Sequence, residues 1–533
     1  MEDKKYLYKR NNIWWVKVAV PKSQRDKFGY DLRQTTGKSD LNEARSVRDH
    51  IVESLKSKFN ETEKYVPLPS TKFMEKTNID NPQYFHKVVD CQYACPAHTN
   101  VPEYIRLIAQ KKYTDAYMLN WESNVFPGIL GRVCDRPCEP ACRRGRTHEK
   151  SVAICRLKRV TYDYKDDVEK YIPQSPKVKN GKRIALIGAG PASLTVARDL
   201  LPLGYECTIF EKDHKAGGLM RTNIPSFRLP ADVLDEEIYR IINMGAELKL
   251  NSYIEKLKPV IDEYDSVFIG TGAPKGKDLK LKGREISSEN IHIGIDWLTS
   301  IAFEHVKKIG KKVIVIGGGN TAMDCCRSAL RLGANDVKVT VRSPFSQMKA
   351  SEWEIEETME EGIPILDNTS PKEFLFDDKG KLCGMKFEKM EQVEVDGRKK
   401  MQSTGEEITI ECDDVLLAIG QENAFPWIEK DIGIEFGEWE MPVVDKLTMQ
   451  STHPKVFFGG DSAWGPENII WAVSHGHQAA ISIDNFCSGV SLKERPAPIT
   501  NLVSQKMGIH EWSYDNDVSQ EKRISVPLSL IHI

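Results

Sequence analysis

The chain has 533 residues, enough for several domains with buried cores. Its 75 basic residues nearly balance 77 acidic ones, which argues against a nucleic acid or an anionic membrane surface as the main partner. No run of about eighteen apolar residues occurs, and residues 1–10 lack the apolar core of a secretory signal, so a soluble cytoplasmic protein is expected.

Residues 1–60 read as a small basic α+β module. The stretch YLYKRNNIWWVKVAV alternates apolar and polar residues about an Asn11–Asn12 turn, as a β-hairpin does. Ser39 to Lys58 reads as a basic helix capped by Ser39 or Asp40. The combination resembles the small N-terminal module of some phage-type integrases, which implies DNA contact as one use of its basic face. No recombinase catalytic domain follows. A polar, proline-containing linker occupies residues 61–82.

Residues 83–178 hold six of the twelve cysteines, spaced Cys91-x3-Cys95-Pro, Cys134-x3-Cys138-x3-Cys142, and then Cys155. In a large cytosolic chain such clustering favours metal over disulfides. Thiolates bind iron–sulfur clusters, and a cysteine followed by proline commonly ends a ligand run. Zinc favours CxxC knuckles, and the sequence has none. Reduced structural cysteines are the third reading.

Next comes a dinucleotide fingerprint. The apolar strand Arg183 to Ile187 meets Gly188-Ala-Gly190-Pro191-Ala192-Ser193, an amphipathic helix runs to Leu203, and a second strand ends at Glu211. Gly188 permits the tight turn, Gly190 lets the backbone approach a pyrophosphate, and the helix N-terminus offers free N–H groups. Ser193 stands where the third glycine serves helix–strand packing. Glu211 accepts hydrogen bonds from a ribose, which suits an adenosine without a 2′-phosphate, as in FAD.

The strand Ser266 to Ile269 then ends in Gly270-Thr271-Gly272. A second fingerprint follows, from Val313 to Ile316 into Gly317-Gly318-Gly319-Asn320-Thr321-Ala322, with a helix to Leu332. Its next strand, Val337 to Val341, ends in Arg342, whose guanidinium suits the 2′-phosphate of NADPH. Lys372 to Glu411 reads as an antiparallel insertion, and DVLLAIG, ending in Gly420, returns to the core. The strand Val456 to Phe458 delivers Gly460 and Asp461, ahead of a helix beginning near Glu467 and Asn468.

Taken together, residues 80 to 500 resemble the small (β) chain of NADPH-dependent glutamate synthase and, equally, the front half of dihydropyrimidine dehydrogenase. The resemblance implies a helical cysteine-rich domain holding [4Fe-4S] clusters. Relatives hold two and open with a CxxC ahead of Cys91, which this chain lacks. Six cysteines cannot supply eight ligands. One cluster is therefore expected, on Cys95, Cys134 and Cys138, with Cys155 near the family's non-standard fourth ligand. Cys91 and Cys142 match ligands of the second cluster. The resemblance also places Gly217-Gly218-Leu219 and Arg228 of the IPSFRLP loop over the flavin and its phosphates. It gives Asp461 a bond to the ribityl chain, with the following helix dipole aimed at the isoalloxazine.

The expected fold is α/β, with two Rossmann-like domains preceded by a small helical iron–sulfur domain. The FAD domain spans 179–303 and 426–495, the NADPH domain spans 304–425, and residues 496–533 form a tail read as truncated. The expected activity passes electrons from NADPH to FAD and through a cluster to a protein partner that carries the final acceptor site. His475 and His477 are expected to pack rather than to act as acids or bases. A disulfide reductase is the enzyme alternative, but its only neighbouring cysteines, Cys325 and Cys326, are adjacent on a helix. A redox protein tethered to DNA through residues 1–60 is the alternative of another class.

Overall fold

A computed structural model of the chain describes residues 6–10, 12–20, 31–60, 89–142, 144–147, 150–286, 289–395 and 398–495. The linker and tail expected at 61–82 and 496–533 lie outside these, as does Asn11 of the expected turn. The chain divides into two units, Met1–Asn78 and Ile79–Ile533. Among the described residues no helix is long and apolar enough to cross a membrane.

In the first unit Leu7–Arg10, Ile13–Ala19 and Asp31–Thr35 form an antiparallel sheet. Alternation buries Trp14, Val16 and Val18 against Ala44, Ile51 and Leu55 of the helix Leu41–Asn60. Of the two expected caps, Asp40 serves: its Oδ1 accepts the N–H groups of Asn42 and Glu43 at 2.8 and 3.1 Å.

The first described elements of the second unit are short helices, with Cys91 and Cys155 inside them and the other four cysteines in the turns that follow them. Of these helices, Pro127–Val133 begins with a proline, which has no N–H to satisfy, while the N–H groups after it need an outside acceptor as at any helix start. Glu237, on the helix Ala231–Ile242, fills that role. Its carboxylate accepts Gly128 and Ile129 N–H at 2.7 and 2.9 Å, and the Tyr117 hydroxyl at 3.0 Å. This buried cap fastens the cysteine region to the first α/β domain.

That domain has a five-stranded parallel sheet in the order Val456–Phe458, Ser266–Ile269, Arg183–Ile187, Glu206–Phe210 and Glu247–Lys249. The inner strands are covered on both faces, so Val456–Phe458, Ser266–Ile269 and residues 184–187 are almost uniformly apolar. The second domain repeats the plan with Ile365–Leu366, Asp336–Thr340, Lys312–Ile316, Asp414–Leu417 and Ile291–Ile293. Ile291–Ile293 pairs with Asp414–Leu417, and Trp297 and Leu298 of the helix Gly294–Ala302 pack in this second core. The crossing between domains therefore precedes residue 291 instead of falling at 303, because these apolar residues are buried by the second sheet. The expected insertion is a three-stranded antiparallel sheet, Thr369–Phe376, Leu382–Val395 and Arg398–Glu411.

Candidate functional site

Both fingerprint turns open into one cavity of about 1580 Å³. Single-ligand pockets run to roughly 1,000 Å³, so this space suits two dinucleotides. The first glycine of each turn is held by backbone behind it. Gly188 has φ +93°, and a Cβ there would lie 2.7 Å from the Gly270 carbonyl oxygen. Gly317 has φ +143°, and a Cβ would lie 2.2 Å from the Ala418 oxygen. At the second glycines the space is open instead: nothing lies nearer than 3.7 Å at Gly190, and nothing within 4 Å at Gly319. These residues cap the helices Pro191–Leu200 and Asn320–Arg331, whose free N–H groups face the cavity. Each open cradle at a positive helix end fits a pyrophosphate.

On the flavin side the wall includes Gly188, Gly190, Pro191, Ala192 and Glu211. Glu211 is 5% exposed, and it accepts Ala189 N–H at 2.8 Å and Asp213 N–H at 3.0 Å. Burial raises its pKa despite these bonds. Gly218, Leu219 and Gly272 complete that end, where the buried Thr271 hydroxyl has no partner among the described residues. Opposite stand Gly460 and Asp461. The Asp461 carboxylate, pushed up to about 6 by burial, accepts Glu467 N–H at 3.0 Å. Asn468 caps the helix Ile469–Ser488 by accepting Trp471 N–H at 3.3 Å. This helix starts slightly later than expected, after the extra short helix Asp461–Trp464. An unpartnered hydroxyl and a buried carboxylate facing an open cradle fit a flavin nucleotide.

Three expected contacts do not line the cavity. Ser193 is fully buried, with its Oγ where a Cβ on Gly270 would come within 2.3 Å, so it packs helix on strand. Gly217 donates its N–H to the Ala189 oxygen, and Ala322 is buried in the second core. Arg228 does line the cavity, but its guanidinium is engaged elsewhere. It donates to both Asp324 oxygens, at 2.6 and 2.7 Å, and to Glu354. Asp324 is buried and pushed up to about 6 by that burial, with Arg228 opposing. Phe227 lies under Arg331 at 3.8 Å. The IPSFRLP loop thus pins the flavin half to the nucleotide half instead of offering a cation to a phosphate.

On the nucleotide side Gly317, Gly319, Asn320, Thr321 and Gly420 line the wall, and Asn320 accepts Ser351 N–H at 2.8 Å. Arg342 is exposed, lines the same space, and has no partner among the described residues. It does not occupy the acid's place. Gly188 N–H bonds Phe210 and Gly317 N–H bonds Thr340, so Val341 is the counterpart of Glu211 and Arg342 follows it. Consecutive residues of an extended chain face opposite ways, so Val341 is buried and Arg342 meets the cavity.

The cysteines sort into four and two. Cys95, Cys134, Cys138 and Cys155 are buried, whereas Cys91 and Cys142 are partly exposed. Burial pushes Cys134 up to about 12 and raises Cys138 as well. Cys91 rises to about 11 through burial, with Cys142 adding to it. Lys158 is buried near these cysteines, one turn beyond Cys155 on the same helix. Burial pulls its pKa down, but Cys134, Cys155, Cys95 and Cys138 together turn the shift upward. Among the described residues no three such side chains converge on a single metal ion. One zinc ion needs sulfurs about 3.8 Å apart, from Zn–S of ~2.3 Å, whereas a four-iron cluster seats each thiolate on its own iron and spreads them wider. Four buried thiols that do not converge on a single point are compatible with the latter. Cys155 now donates to the Leu130 oxygen at 3.2 Å, and ligation would replace that bond.

Cys134 also lines the nucleotide cavity, together with Asp135. Asp135 accepts Ser351 Oγ at 2.9 Å and Asn468 Nδ2 at 3.3 Å, and Arg136 stacks 4.1 Å over Trp353. One cysteine loop therefore touches Asn468, the cap of the helix Ile469–Ser488, and Ser351, the cap of the helix Glu352–Glu360. Asp135 carries no local signal of this role, because its partners lie 216 and 333 residues further along the chain.

The histidines pack as expected. His475 Nδ1 accepts Gly460 N–H at 3.2 Å, and His477 bonds Asp199 and the Ser123 oxygen. Cys325 and Cys326 are buried away from the cavity wall, which leaves the disulfide-reductase alternative without a dithiol there.

Comparison with known proteins agrees with this geometry. Residues 182–476 match the family described as pyridine nucleotide-disulphide oxidoreductase, and residues 85–170 match dihydropyrimidine dehydrogenase domain II, 4Fe-4S cluster. Neither match reaches residues 1–60, and the integrase resemblance finds no support. The NADPH-Fe(3+) oxidoreductase subunit beta of Geobacter sulfurreducens is 32% identical over 444 residues, covering 77% of this chain and 66% of that one. The NADP(+)-dependent formate dehydrogenase subunit beta of Moorella thermoacetica is 33% identical over 455 residues, covering 80% and 64%. The chain thus spans less than two thirds of the length of either. The glutamate synthase [NADPH] small chain of Halomonas elongata is 31% identical over 427 residues, covering 74% and 87%. FprA from Mycobacterium tuberculosis shares the fold, with TM-score 0.50 and 16% identity over 58% of this chain and 85% of that one. The chain belongs to the pyridine nucleotide-disulphide oxidoreductase family, in its glutamate synthase small-chain type with a 4Fe-4S domain ahead of the flavin and nucleotide halves.

Proposed function

We propose that this chain oxidises NADPH and distributes its electrons singly to a partner protein that holds the final acceptor site. Bound cofactors supply the chemistry: a flavin accepts hydride from NADPH, and an iron–sulfur cluster carries one electron at a time. The chain's residues hold and orient them. Gly190 and the helix behind it receive the FAD pyrophosphate, Glu211 faces the adenosine ribose, and Asp461 faces the ribityl chain. Gly319 receives the NADPH pyrophosphate, and Arg342 grips the 2′-phosphate. Cys95, Cys134, Cys138 and Cys155 hold one [4Fe-4S] cluster, and Cys91 with Cys142 lack partners for a second. The observation that carries this reading is Cys134 on the wall of the cavity into which both turns open. The two beta-subunit relatives support a multi-subunit setting.

The test is the iron and flavin content of anaerobically purified protein. About four irons and one FAD per chain are expected. Cys134→Ser should remove the broad visible absorbance and slow delivery to one-electron acceptors while NADPH still bleaches the flavin, and Cys142→Ser should do less. Equal loss of iron in both variants would overturn the ligand assignment.

A further inference from the structure

The buried ammonium of Lys158 does not line the cavity into which both turns open. Its side chain is 4% exposed, on the helix Ile154–Asp163 one turn beyond Cys155 and on the same face. A buried lysine is tolerated only where something answers its charge. Among the described residues no carboxylate does so. Nζ donates to Asn124 Oδ1 at 2.6 Å. Asn124 in turn donates to the Thr99 hydroxyl, which also receives Ser123 Oγ at 3.1 Å and lies 3.4 Å from Cys95 Sγ. Thr99 and Asn124 are themselves buried. A polar relay thus runs from the cation to the sulfur of one expected ligand, and the cation acts electrostatically on all four.

We propose that Lys158 is a positioning residue that sets the reduction potential of the cluster, through its fixed charge and through the Asn124–Thr99 relay to Cys95. This deepens the function proposed above and rests on its four-cysteine site. Reduction adds one electron, supplied by the reduced flavin, and no bond forms or breaks. Lys158 stays charged, so no proton accompanies the electron. The site gains one negative charge, and a positive charge in a low-dielectric interior favours that state. Hydrogen bonds toward ligand sulfur act in the same direction, and charge and such bonds are the protein's main levers on cluster potential. Lys158 therefore raises the potential and eases electron entry.

The experiment is a mediated redox titration, followed by electron paramagnetic resonance, of full-length protein loaded with iron and sulfide. Lys158→Met should shift the one-electron equilibrium at least about tenfold toward the oxidised state, about 59 mV more negative. Lys158→Arg should stay within about threefold of wild type. Asn124→Asp, nearly isosteric but opposite in charge to Lys158, should shift the same way by a smaller factor, and it decides the matter if the methionine variant fails to hold iron. A wild-type potential in iron-replete Lys158→Met, or in Asn124→Asp where that variant must decide, overturns the inference and leaves the proposed function standing. Wild-type protein that takes up no iron overturns both.

Discussion

At the flavin-side turn the loop is tied by a side chain: buried Glu211 takes the Ala189 and Asp213 N–H groups into its carboxylate. At the nucleotide-side turn the loop is tied by backbone: Lys349 and Ala350 N–H both donate to the Gly318 oxygen at 2.9 Å. Val341 fills the acid's register there, and Arg342 is free to meet a ligand. Two turns of the same strand–glycine–helix plan thus reach rigidity differently. The first carries a negative charge into its own framework, where it disfavours a 2′-phosphate. The second keeps its framework uncharged and presents a cation that waits for one.

The severest way to break the comparison is to attack the feature both turns share. Gly188→Ala and Gly317→Ala each add a Cβ against backbone at a φ that L residues avoid, at about 2–5 kcal/mol in local stability. Gly188→Ala should abolish flavin retention, whereas Gly317→Ala should leave the yellow protein intact but deaf to NADPH. Absorbance after gel filtration, followed by stopped-flow reduction, reads both. If both variants lose flavin equally, the two turns are not independent.

Acid should separate the turns next. Burial lowers the His475 pKa from 6.5 to about 4, and the neutral ring holds Gly460 N–H beside the flavin side of the cavity. The unfolded chain binds a proton that the folded chain refuses between those values. Stability is therefore full above pH 6.5 and falls as the pH drops toward 4, by roughly 3 kcal/mol at most. His475→Asn, which keeps an acceptor and cannot protonate, should flatten that part of a denaturation-versus-pH curve. Flavin release should track the same window, and nucleotide binding measured on the remaining holoprotein should not.

Arg342→Ala is expected to weaken NADPH by roughly 1–3 kcal/mol and NADH hardly at all, because only the 2′-phosphate makes the charge-assisted bond. Titration calorimetry with both nucleotides checks it, and equal losses would make the arginine a fold residue. The smallest effect belongs to Glu211→Gln. It exchanges one acceptor oxygen for an amide that meets N–H donors, and should lower flavin affinity by about 1 kcal/mol. A larger loss would mean the carboxylate organises more of the loop than its two bonds.

Much of this molecule was legible in the chain. The β-branched runs at Arg183–Ile187 and Lys312–Ile316, the glycines after them, and the antiparallel insertion follow from local sterics and apolar periodicity, which act within a few residues. The grouping of Cys95, Cys134, Cys138 and Cys155 apart from Cys91 and Cys142 came from the family likeness and not from local pattern. The tertiary structure decided what depends on residues far apart in sequence. It turned Arg228 away from phosphate because Asp324 and Glu354, about a hundred residues on, present carboxylates to it first. It assigned Ile291–Ile293 to the second sheet, since strand pairing is settled by which neighbour buries an apolar edge. It joined Asp135 to Ser351 and Asn468, and it linked buried Lys158 through Asn124 and Thr99 to Cys95. Local pattern fixes where the backbone turns and which face is apolar. Which charges meet once those faces are buried is set by packing, because a buried charge settles on the partners that the fold brings within reach.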